Sequence, residues 1–480
     1  MGSLVEPVDP VPLPELGRVH FTGIGGAGMS GIARIMIARG VKVSGSDAVA
    51  SDLLTALAGE GADVRVGHAA ANIDGADTLV VSTAIRADNP ELAEARRRGL
   101  RVLHRAAALA SLMLGRRGIA VAGTHGKSTT TGMITTILRH AGASPGYVVG
   151  AILAETGLGA EDGDGPLFVA EADESDGSFL MLAPEVAIVT CVEADHLDNY
   201  ADLAQIQGAF RRFAGQITRG GLLIACADDP GARALTAAVP PGVRVRTYGE
   251  APGADYRLTG VRPQGMTVRF EVSAGPAAAP GAPSPARLEA GVPGRHNALN
   301  ATAAYAAARE LGLSPGQAAA GLAAYRGVDR RLQPKGEAAG VLVLDSYAHH
   351  PTELSADLRA AREIRPGGRI LAVFQPHLFS RTRIFAPELG AALGLADEAF
   401  VLDVYAARED PEPGITGRLV AQAVPGGRAH FVPDRAGLPA AVADAARPGD
   451  LVLTMGAGDV TALGPPIVAA LRQRGEPPDG

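Results

Sequence analysis

Apolar residues along this chain follow two rhythms. Short runs rich in Val, Ile and Leu, bounded by Gly, Asp or Pro, alternate with longer segments in which apolar positions return every third or fourth residue. The first kind predicts buried strands and the second amphipathic helices. After a Pro-rich tail over 1–17, Arg18–Ile24 reads as a strand, followed by a helix with Ile32, Ile35 and Met36 on one face and Gly40 at its end. VKVSG and Thr78–Ile85 are further strands, so residues 18–115 predict a small βαβ domain. GIAVAG opens a second domain, 116–327, with a helix over GKSTTTGMITTILRHAG and strands at PLFVAEADES, VAIVTCVEAD and GLLIACADD. Within it, Tyr256–Leu288 reads as a β-excursion carrying a flexible Pro/Ala insertion, AGPAAAPGAPSPA, and helices follow at His296–Leu311 and Ser314–Tyr325. From 328 to 480 the strands VLVLDSY, RILAVFQ, EAFVLDV and LVLTMGAG each precede a helical pattern. The fold class predicted is α/β in three consecutive domains: a Rossmann-like N-terminal domain, a phosphate-loop ATPase-like central domain and a Rossmann-like C-terminal domain.

Length agrees, since 480 residues at roughly 150 per domain make about three. A net charge of −7, with 20% of residues charged, argues against a general nucleic-acid binder, whose phosphate partners demand a basic face. No apolar run approaches the roughly 20 residues that span a bilayer, and MGSLVEPVDPVPLPELG lacks the features of a secretory signal. Cys191 and Cys226 are the only cysteines, which excludes a disulfide framework or a four-cysteine zinc site and predicts a cytoplasmic protein. Of the 44 Lys and Arg residues only Lys42, Lys127 and Lys335 are lysines. Where Arg is so strongly preferred, a retained Lys marks a place that needs a compact ammonium. Lys127 has such a context; Lys42 reads as a surface residue and Lys335 has no context of its own.

Three groups of motifs carry chemistry. Gly23-x-Gly25-x-x-Gly28 lies between a strand and a helix, where glycines let backbone N–H groups approach a diphosphate, and Asp47 at the end of the next strand stands where a ribose is often met. NAD, FAD and UDP-sugars all remain open on this signal. AVAGTHGKSTT is the stronger one: Gly123, Gly126 and Lys127 suit β- and γ-phosphates, and Ser128 suits Mg²⁺, although Val121 stands where a strict Walker A has its first glycine. Glu171-Ala-Asp173-Glu174-Ser175-Asp176 and Val192–Asp198 with His196 end two strands and offer further metal ligands. In the third domain, Asp345–Pro351 and Gln375-Pro376-His377, with Arg381 and Arg383, place polar groups at strand ends that suit a carboxylate or a transferring phosphate.

Taken in order, GIGGAGMSGIA, SGSD, GTHGKSTTT, EADESDGSF, EADHLDNY, GRHNALNA, DSYAHHPTE, FQPHLFSRT and VYAARE resemble the Mur ligase family over nearly the whole chain. The resemblance implies an ATP-dependent ligase in which the first domain binds a UDP-sugar, the second ATP and the third an amino acid. Its substrates would be UDP-N-acetylmuramate, L-alanine and ATP, joined through an acyl phosphate, with no nucleic acid and no membrane insertion. By the same resemblance, Gly25, Gly26, Gly28, Met29, Ser46, Asp47, Ser82 and Thr83 would serve the UDP-sugar. Gly123, Thr124, His125, Gly126, Lys127, Ser128 and Thr129, with Asn297, Asn300 and Arg330, would serve ATP. Ser128 and Glu171 would hold one Mg²⁺, and Glu171 with His196 a second, Mn²⁺ substituting readily. Tyr347, His349, His377 and Arg381 would form the amino-acid pocket, and Lys127, Glu171, His196, Arg331, Asp345 and His349 the catalytic set.

The chain departs from the family pattern at Ser346, where a second aspartate is usual, at Leu378 for Arg, at Arg408 for Gly and at Leu332 for Phe. No Lys occurs between Lys127 and Lys335, so the carbamoylated lysine of sibling ligases is absent. Three other readings are carried forward: a ligase adding a whole tripeptide to the same UDP-sugar, an NAD-dependent oxidoreductase built on GIGGAGM, and a small-molecule kinase built on GTHGKST.

Overall fold

Val19–Thr22, four consecutive buried residues, forms the middle of a five-stranded parallel sheet in the computed structural model. That structure describes residues 4–475 apart from 198, 282–284 and 408, so Asp198, part of the Pro/Ala insertion and the Arg408 departure lie outside the described residues. From one edge the sheet runs Asp63–Val66, Val43–Asp47, Val19–Thr22, Thr78–Val81, Arg101–His104. The helix Ala27–Ala38 follows the first strand directly, so the Gly-rich turn sits at the carboxyl end of the central strand, where open α/β sheets bind ligands.

A ten-stranded sheet makes up the next layer. Its centre is Arg117–Ala122, flanked by Val186–Val189 on one side and Leu167–Glu171 on the other, with Ala122 beside Val189 and Val121 beside Glu171. The phosphate-loop strand therefore lies between the two strands that lead into the acidic motifs. The outer strands Arg244–Gly249, Tyr256–Gln264, Thr267–Ala274 and Ala286–Ala290 extend one edge, and Gly146–Val148 with Ala160–Glu161 the other. The described part of the Pro/Ala insertion is anchored: Ala279 N donates to Tyr256 Oη at 3.1 Å and Arg309 donates to Pro280 O at 2.6 Å.

The five-stranded sheet and most of the ten-stranded sheet belong to one compact unit, Met1–Thr259 with Val272–Ala286 and Asn300–Tyr325, and the strands Tyr256–Gln264, Thr267–Ala274 and Ala286–Ala290 are divided between it and a second unit. Gly31 of the first helix packs on Ala160 so closely that a methyl group there would lie 2.7 Å from the Ala160 Cβ, and Arg39 pairs with Asp162 at 2.7 Å. The second unit, Gly260–Glu271, Arg287–Leu299 and Arg326–Gly480, holds a six-stranded sheet in the order Gln333–Ala338, Val341–Ser346, Leu451–Met455, Ile370–Phe374, Glu398–Val401, Ala429–Phe431. One face carries the helices Pro351–Ile364 and Phe379–Leu393 over Leu344, Phe374 and Leu453; the other carries Leu438–Ala445 and Gly464–Gly475 over Val343, Val373 and Val452.

The strands read from sequence are present but shorter, Thr78–Val81 for Thr78–Ile85 and Glu398–Val401 for EAFVLDV. Among the described residues seven strands were not predicted, including Asp63–Val66, Arg101–His104, Arg244–Gly249 and Gln333–Ala338. Asp63–Val66, Gln333–Ala338 and Ala429–Phe431 lie at sheet edges, mostly exposed or half-buried, where no apolar run is required. Among the described residues no helix is long and apolar enough to cross a membrane.

Candidate active site

The Gly-rich turn is held from below by the next strand. Gly23 N and Ile24 N donate to Ser46 O at 2.8 and 3.0 Å, and Gly25 N donates to Asp47 Oδ2 at 2.9 Å. A methyl group on Gly25 would lie 2.7 Å from Leu54 Cδ1 and 2.9 Å from that carboxylate oxygen, so a larger residue there would push both side chains aside. Asp47 thus shapes the loop, a role its spacing did not disclose. Gly26 is exposed, Gly28 half-buried, and the Met29 side chain buried beneath them. Ser82 and Thr83 stand just beyond the strand Thr78–Val81, half-buried and exposed.

Ser46 differs from its expected role, because its hydroxyl is enclosed. It donates to Glu91 Oε2 at 2.7 Å and lies 2.9 Å from His68 Nδ1. Glu91 also accepts from Thr22 Oγ1 at 2.7 Å and Asn72 Nδ2 at 2.7 Å, and His20 Nε2 is 3.4 Å away. Burial works to raise the Glu91 pKa, yet the hydrogen bonds from His20, Thr22, Asn72 and Ser46 hold it down at about 2. No motif marks Glu91, because its partners come from three separate segments.

The second loop leaves Arg117–Ala122 through Gly123, at φ 134°, and enters the helix Lys127–His140 through Gly126, at φ 82°. A methyl group on Gly123 would run into Thr190 Oγ1, and one on Gly126 would lie 2.6 Å from Asn300 Oδ1. The following strand's exit supports the loop: Thr124 N donates to Cys191 O at 3.0 Å, Thr190 Oγ1 to His125 O at 2.5 Å, and Glu193 N to Thr124 Oγ1 at 2.9 Å. Burial pushes the thiol of Cys191 up, and that of Cys226 to about 11, so neither is a ready nucleophile at neutral pH.

Lys127 Nζ donates to Gly123 O at 2.8 Å and Thr124 O at 3.2 Å, and lies 3.0 and 2.9 Å from the two oxygens of Glu174. Burial disfavours its charge, but Glu174, then Asp173 and Glu171, hold the ammonium well above its ordinary pKa. His196, at φ 53°, places Nε2 3.5 Å from Glu174 Oε1 and 3.7 Å from Asp195 Oδ2. Glu174, at 2% exposure, is therefore the carboxylate shared by Lys127 and His196. It stood inside the quoted acidic run, but nothing in the run distinguished it from its neighbours.

Glu171 sits at the end of its strand, accepting from Gly150 N at 2.8 Å. Ser128 and Thr129 are buried in the first turn of the helix. Hydroxyl and carboxylate oxygens at these positions are hard donors that suit Mg²⁺, and the glycine cradle above them suits phosphate, so the residues fit both groups. An imidazole at His196 is a poorer ligand for Mg²⁺ than for Mn²⁺. Asn300 lies against Gly126, and Asn297, one turn earlier in the helix Arg295–Glu310, donates to Pro293 O at 2.7 Å.

In the second unit an aromatic cluster gathers most of the expected pocket. Arg330 and Arg331 lie over the Tyr347 ring at 4.8 and 5.4 Å. His349 meets Tyr347 edge-on at 5.3 Å, His377 lies 5.9 Å from His349, and Tyr405 stacks on His377 at 5.8 Å. His349 Nδ1 is 3.0 Å from Tyr347 O and 3.4 Å from Glu353 Oε2. Arg381 is buried in the helix Phe379–Leu393 and adds positive charge at Tyr347. Tyr405 and Glu353 were not among the expected residues; Tyr405 joins through one isolated bridge, His377 to Tyr405, that local pattern does not reveal.

Asp345 is placed differently from a catalytic base. It is fully enclosed, accepting from Thr454 Oγ1 at 2.6 Å and Thr461 Oγ1 at 2.8 Å, with Arg330 Nε at 3.4 Å and Lys335 Nζ at 3.9 Å. It anchors Arg330, and Lys335 has a context after all. Ser346 donates to the buried Asp357 and accepts from Ala348 N at 3.0 Å, so the departure is absorbed by hydrogen bonding. Leu332 packs in the core and Leu378 is buried as the residue before its helix, while Arg383 pairs with Glu412 at 3.3 Å on the surface, apart from the cluster.

Profiles of the Mur ligase family, catalytic domain, of the Mur ligase middle domain and of the Mur ligase, glutamate ligase domain match residues 18–117, 121–308 and 330–458. The chain is 55% identical over 478 residues to the UDP-N-acetylmuramate–L-alanine ligase of Thermobifida fusca, covering 98% of this chain and all of the relative. The protein of the same name from Kineococcus radiotolerans is 55% identical over 468 residues, 96% of this chain and 97% of its own. Among solved structures, the UDP-N-acetylmuramate-alanine ligase of Thermotoga maritima matches with a TM-score of 0.79 at 28% identity, covering 95% of this chain and 99% of that one. A murein peptide ligase of Psychrobacter arcticus matches with a TM-score of 0.70 at 25% identity, over 95% and 99%.

Proposed function

The chain belongs to the Mur ligase family, and on that premise we propose that it joins L-alanine to the lactyl carboxylate of UDP-N-acetylmuramate, converting ATP to ADP and phosphate, in peptidoglycan precursor synthesis. The observation that carries this reading is 55% identity, over 98% of the chain, to a ligase of that name. The GTHGKST loop at the centre of the ten-stranded sheet supports it, because an oxidoreductase has no use for Lys127 between a phosphate cradle and Glu174. UDP-sugar and ATP as substrates support a cytoplasmic reaction.

In this reading residues 18–115 hold the UDP-sugar, 116–327 ATP and 328–480 the amino acid. The lactyl carboxylate attacks the γ-phosphate, giving an acyl phosphate and ADP; the amine of L-alanine then attacks the acyl carbon, and the tetrahedral intermediate collapses to amide and phosphate. The protein contributes position and charge rather than covalent chemistry. The N–H groups of Gly123–Ser128 cradle the phosphates, and Lys127 neutralises the charge that moves to the leaving oxygen. Ser128 and Glu171 would hold the ATP-linked Mg²⁺ and Glu171 with His196 a second ion, Mn²⁺ substituting; such an ion withdraws charge from the phosphates. Asn297, Asn300, Arg330 and Arg331 serve the nucleotide or its phosphate, and Arg381 faces the alanine carboxylate. With His349 Nδ1 turned to Tyr347 O, the neutral tautomer leaves Nε2 as the basic nitrogen, suited to take the amine proton.

ADP release from the purified protein, measured with UDP-N-acetylmuramate and each amino acid or tripeptide in turn, tests the reading. Release dependent on L-alanine supports it. Release dependent on a tripeptide assigns the recycling reaction instead, and a stable phosphorylated product without any amine assigns a kinase.

A further inference from the structure

The run Asp173–Asp176 is tied in two directions. Asp173 Oδ2 is 2.5 Å from Arg105 Nη2, and Asp176 Oδ2 is 3.5 Å from His104 Nε2, the first residue of a helix and the last of the strand before it, in the sheet that carries the Gly-rich turn. Between them Glu174 faces the other way, to Lys127 and His196. The backbone is held as well: Tyr200 Oη donates to Glu174 O at 2.6 Å, Ser175 N to Asp173 Oδ1 at 3.1 Å, and Val5 N to Asp176 O at 2.9 Å. Asp173 and Glu174 are adjacent, so the carboxylate facing Arg105 and the one holding Lys127 share one short backbone segment.

Arg105 has a second neighbour. It opens the helix Arg105–Met113, and its guanidinium reaches the first turn of Ala27–Ala38, where a methyl group on Gly28 would lie 3.5 Å from Nη1. One nitrogen faces the Gly-rich turn and the other faces the acidic run of the ATP loop. Burial opposes the charge on Arg105, but Asp173 and Asp176 more than offset it, and Asp173 is in turn held well below the usual carboxylate range.

We propose that Arg105 is the positioning residue through which a diphosphate bound at the Gly-rich turn raises the affinity of the phosphate loop for its nucleotide. The inference rests on the reading of the first domain as a UDP-sugar site. A diphosphate beside Gly28 is a second anion for the same guanidinium, reached through Nη1, and it draws the group away from Asp173. Loosening Asp173 loosens Glu174, and Lys127 exchanges its resting contacts for the phosphates of ATP. Linkage makes the effect reciprocal, so nucleotide strengthens UDP-sugar binding by the same factor. A lysine cannot replace Arg105, since it offers no second N–H edge to reach the turn while the first stays with Asp173.

Titration calorimetry on the full-length protein tests the proposal, with Mg-ADP and UDP-N-acetylmuramate each titrated alone and into protein saturated with the other. The expected wild-type result is a mutual tightening of roughly 5-fold or more, the usual lower range of such coupling. In Arg105→Lys and in Asp173→Asn the factor falls toward one. An ion pair that only holds the two sheets together would lower the melting temperature of both variants and leave the factor unchanged, and that result overturns the proposal. So does a wild-type factor near one, which needs no variant to fold. If wild type fails to bind the UDP-sugar at all, the functional reading falls too; binding without coupling sinks the inference alone.

Discussion

Lys127 is neutralised twice over in the resting loop, by two carbonyls and by Glu174. The contacts are those of a compact ammonium with several short donors, which a planar guanidinium cannot reproduce. Lys127→Arg is therefore expected to lose turnover nearly as severely as Lys127→Ala, on the order of 10²-fold or more, as for removal of a transition-state charge contact. Near-normal turnover of a folded Lys127→Arg protein would contradict that role. At the other unit, Leu378 is buried and Arg383 is engaged with Glu412, which leaves Arg381 as the arginine of that helix closest to Tyr347 in effect. Arg381→Ala should raise the KM for L-alanine far more than that for ATP. An equal rise in both, read from initial rates, would move Arg381 to the phosphate.

At the scale of elements, the phosphate loop is a strand, a glycine turn and a helix, and its glycines differ in what they protect. Gly126, at φ 82°, has no room for a methyl group because Asn300 Oδ1 stands 2.6 Å away, whereas Gly142, at φ 79° beyond the same helix, has nothing within 4 Å. Both lose about 1–2 kcal/mol to the left-handed backbone when changed to Ala. Gly126→Ala should in addition displace Asn300 and raise the KM for ATP at least about 10-fold, on the reasoning that misplacement by about 1 Å is costly in such sites. Gly142→Ala should lower the melting temperature alone. Thermal melts paired with ATP saturation curves separate the two.

Across the whole molecule, the enclosed Glu91 knot makes the first sheet acid-sensitive. Its carboxyl, held at about 2 against an ordinary 4.5, contributes stability that is fully present above about pH 4.5 and is lost as pH falls toward 2. The size is on the order of 3 kcal/mol. Glu91→Gln should melt earlier at pH 7 and show a flatter melting profile than wild type between about pH 5 and 2.5. Identical slopes in the two proteins would show that Glu91 does not carry the acid transition.

Much of this protein was legible along the chain. Strand and helix periods announced the α/β order, and glycines between strand and helix located both Gly-rich turns, because the reasons are local: a turn at positive φ, a helix amino end, an apolar run. Lys127 and Ser128 were singled out for the same local reason, whereas His349 and Arg381 were singled out by the family resemblance. Which carboxylate meets Lys127 was not, since Glu171, Asp173, Glu174 and Asp176 look alike in a row and only the neighbouring strands and the helix carrying Arg105 assign each one a partner. The hydrogen-bond partners of Ser46 and Asp345 were not legible either, since they stand 45 and 109 residues distant. Tertiary structure decided those contacts because a polar side chain taken out of water must find its partner in whatever segment the sheet brings beside it.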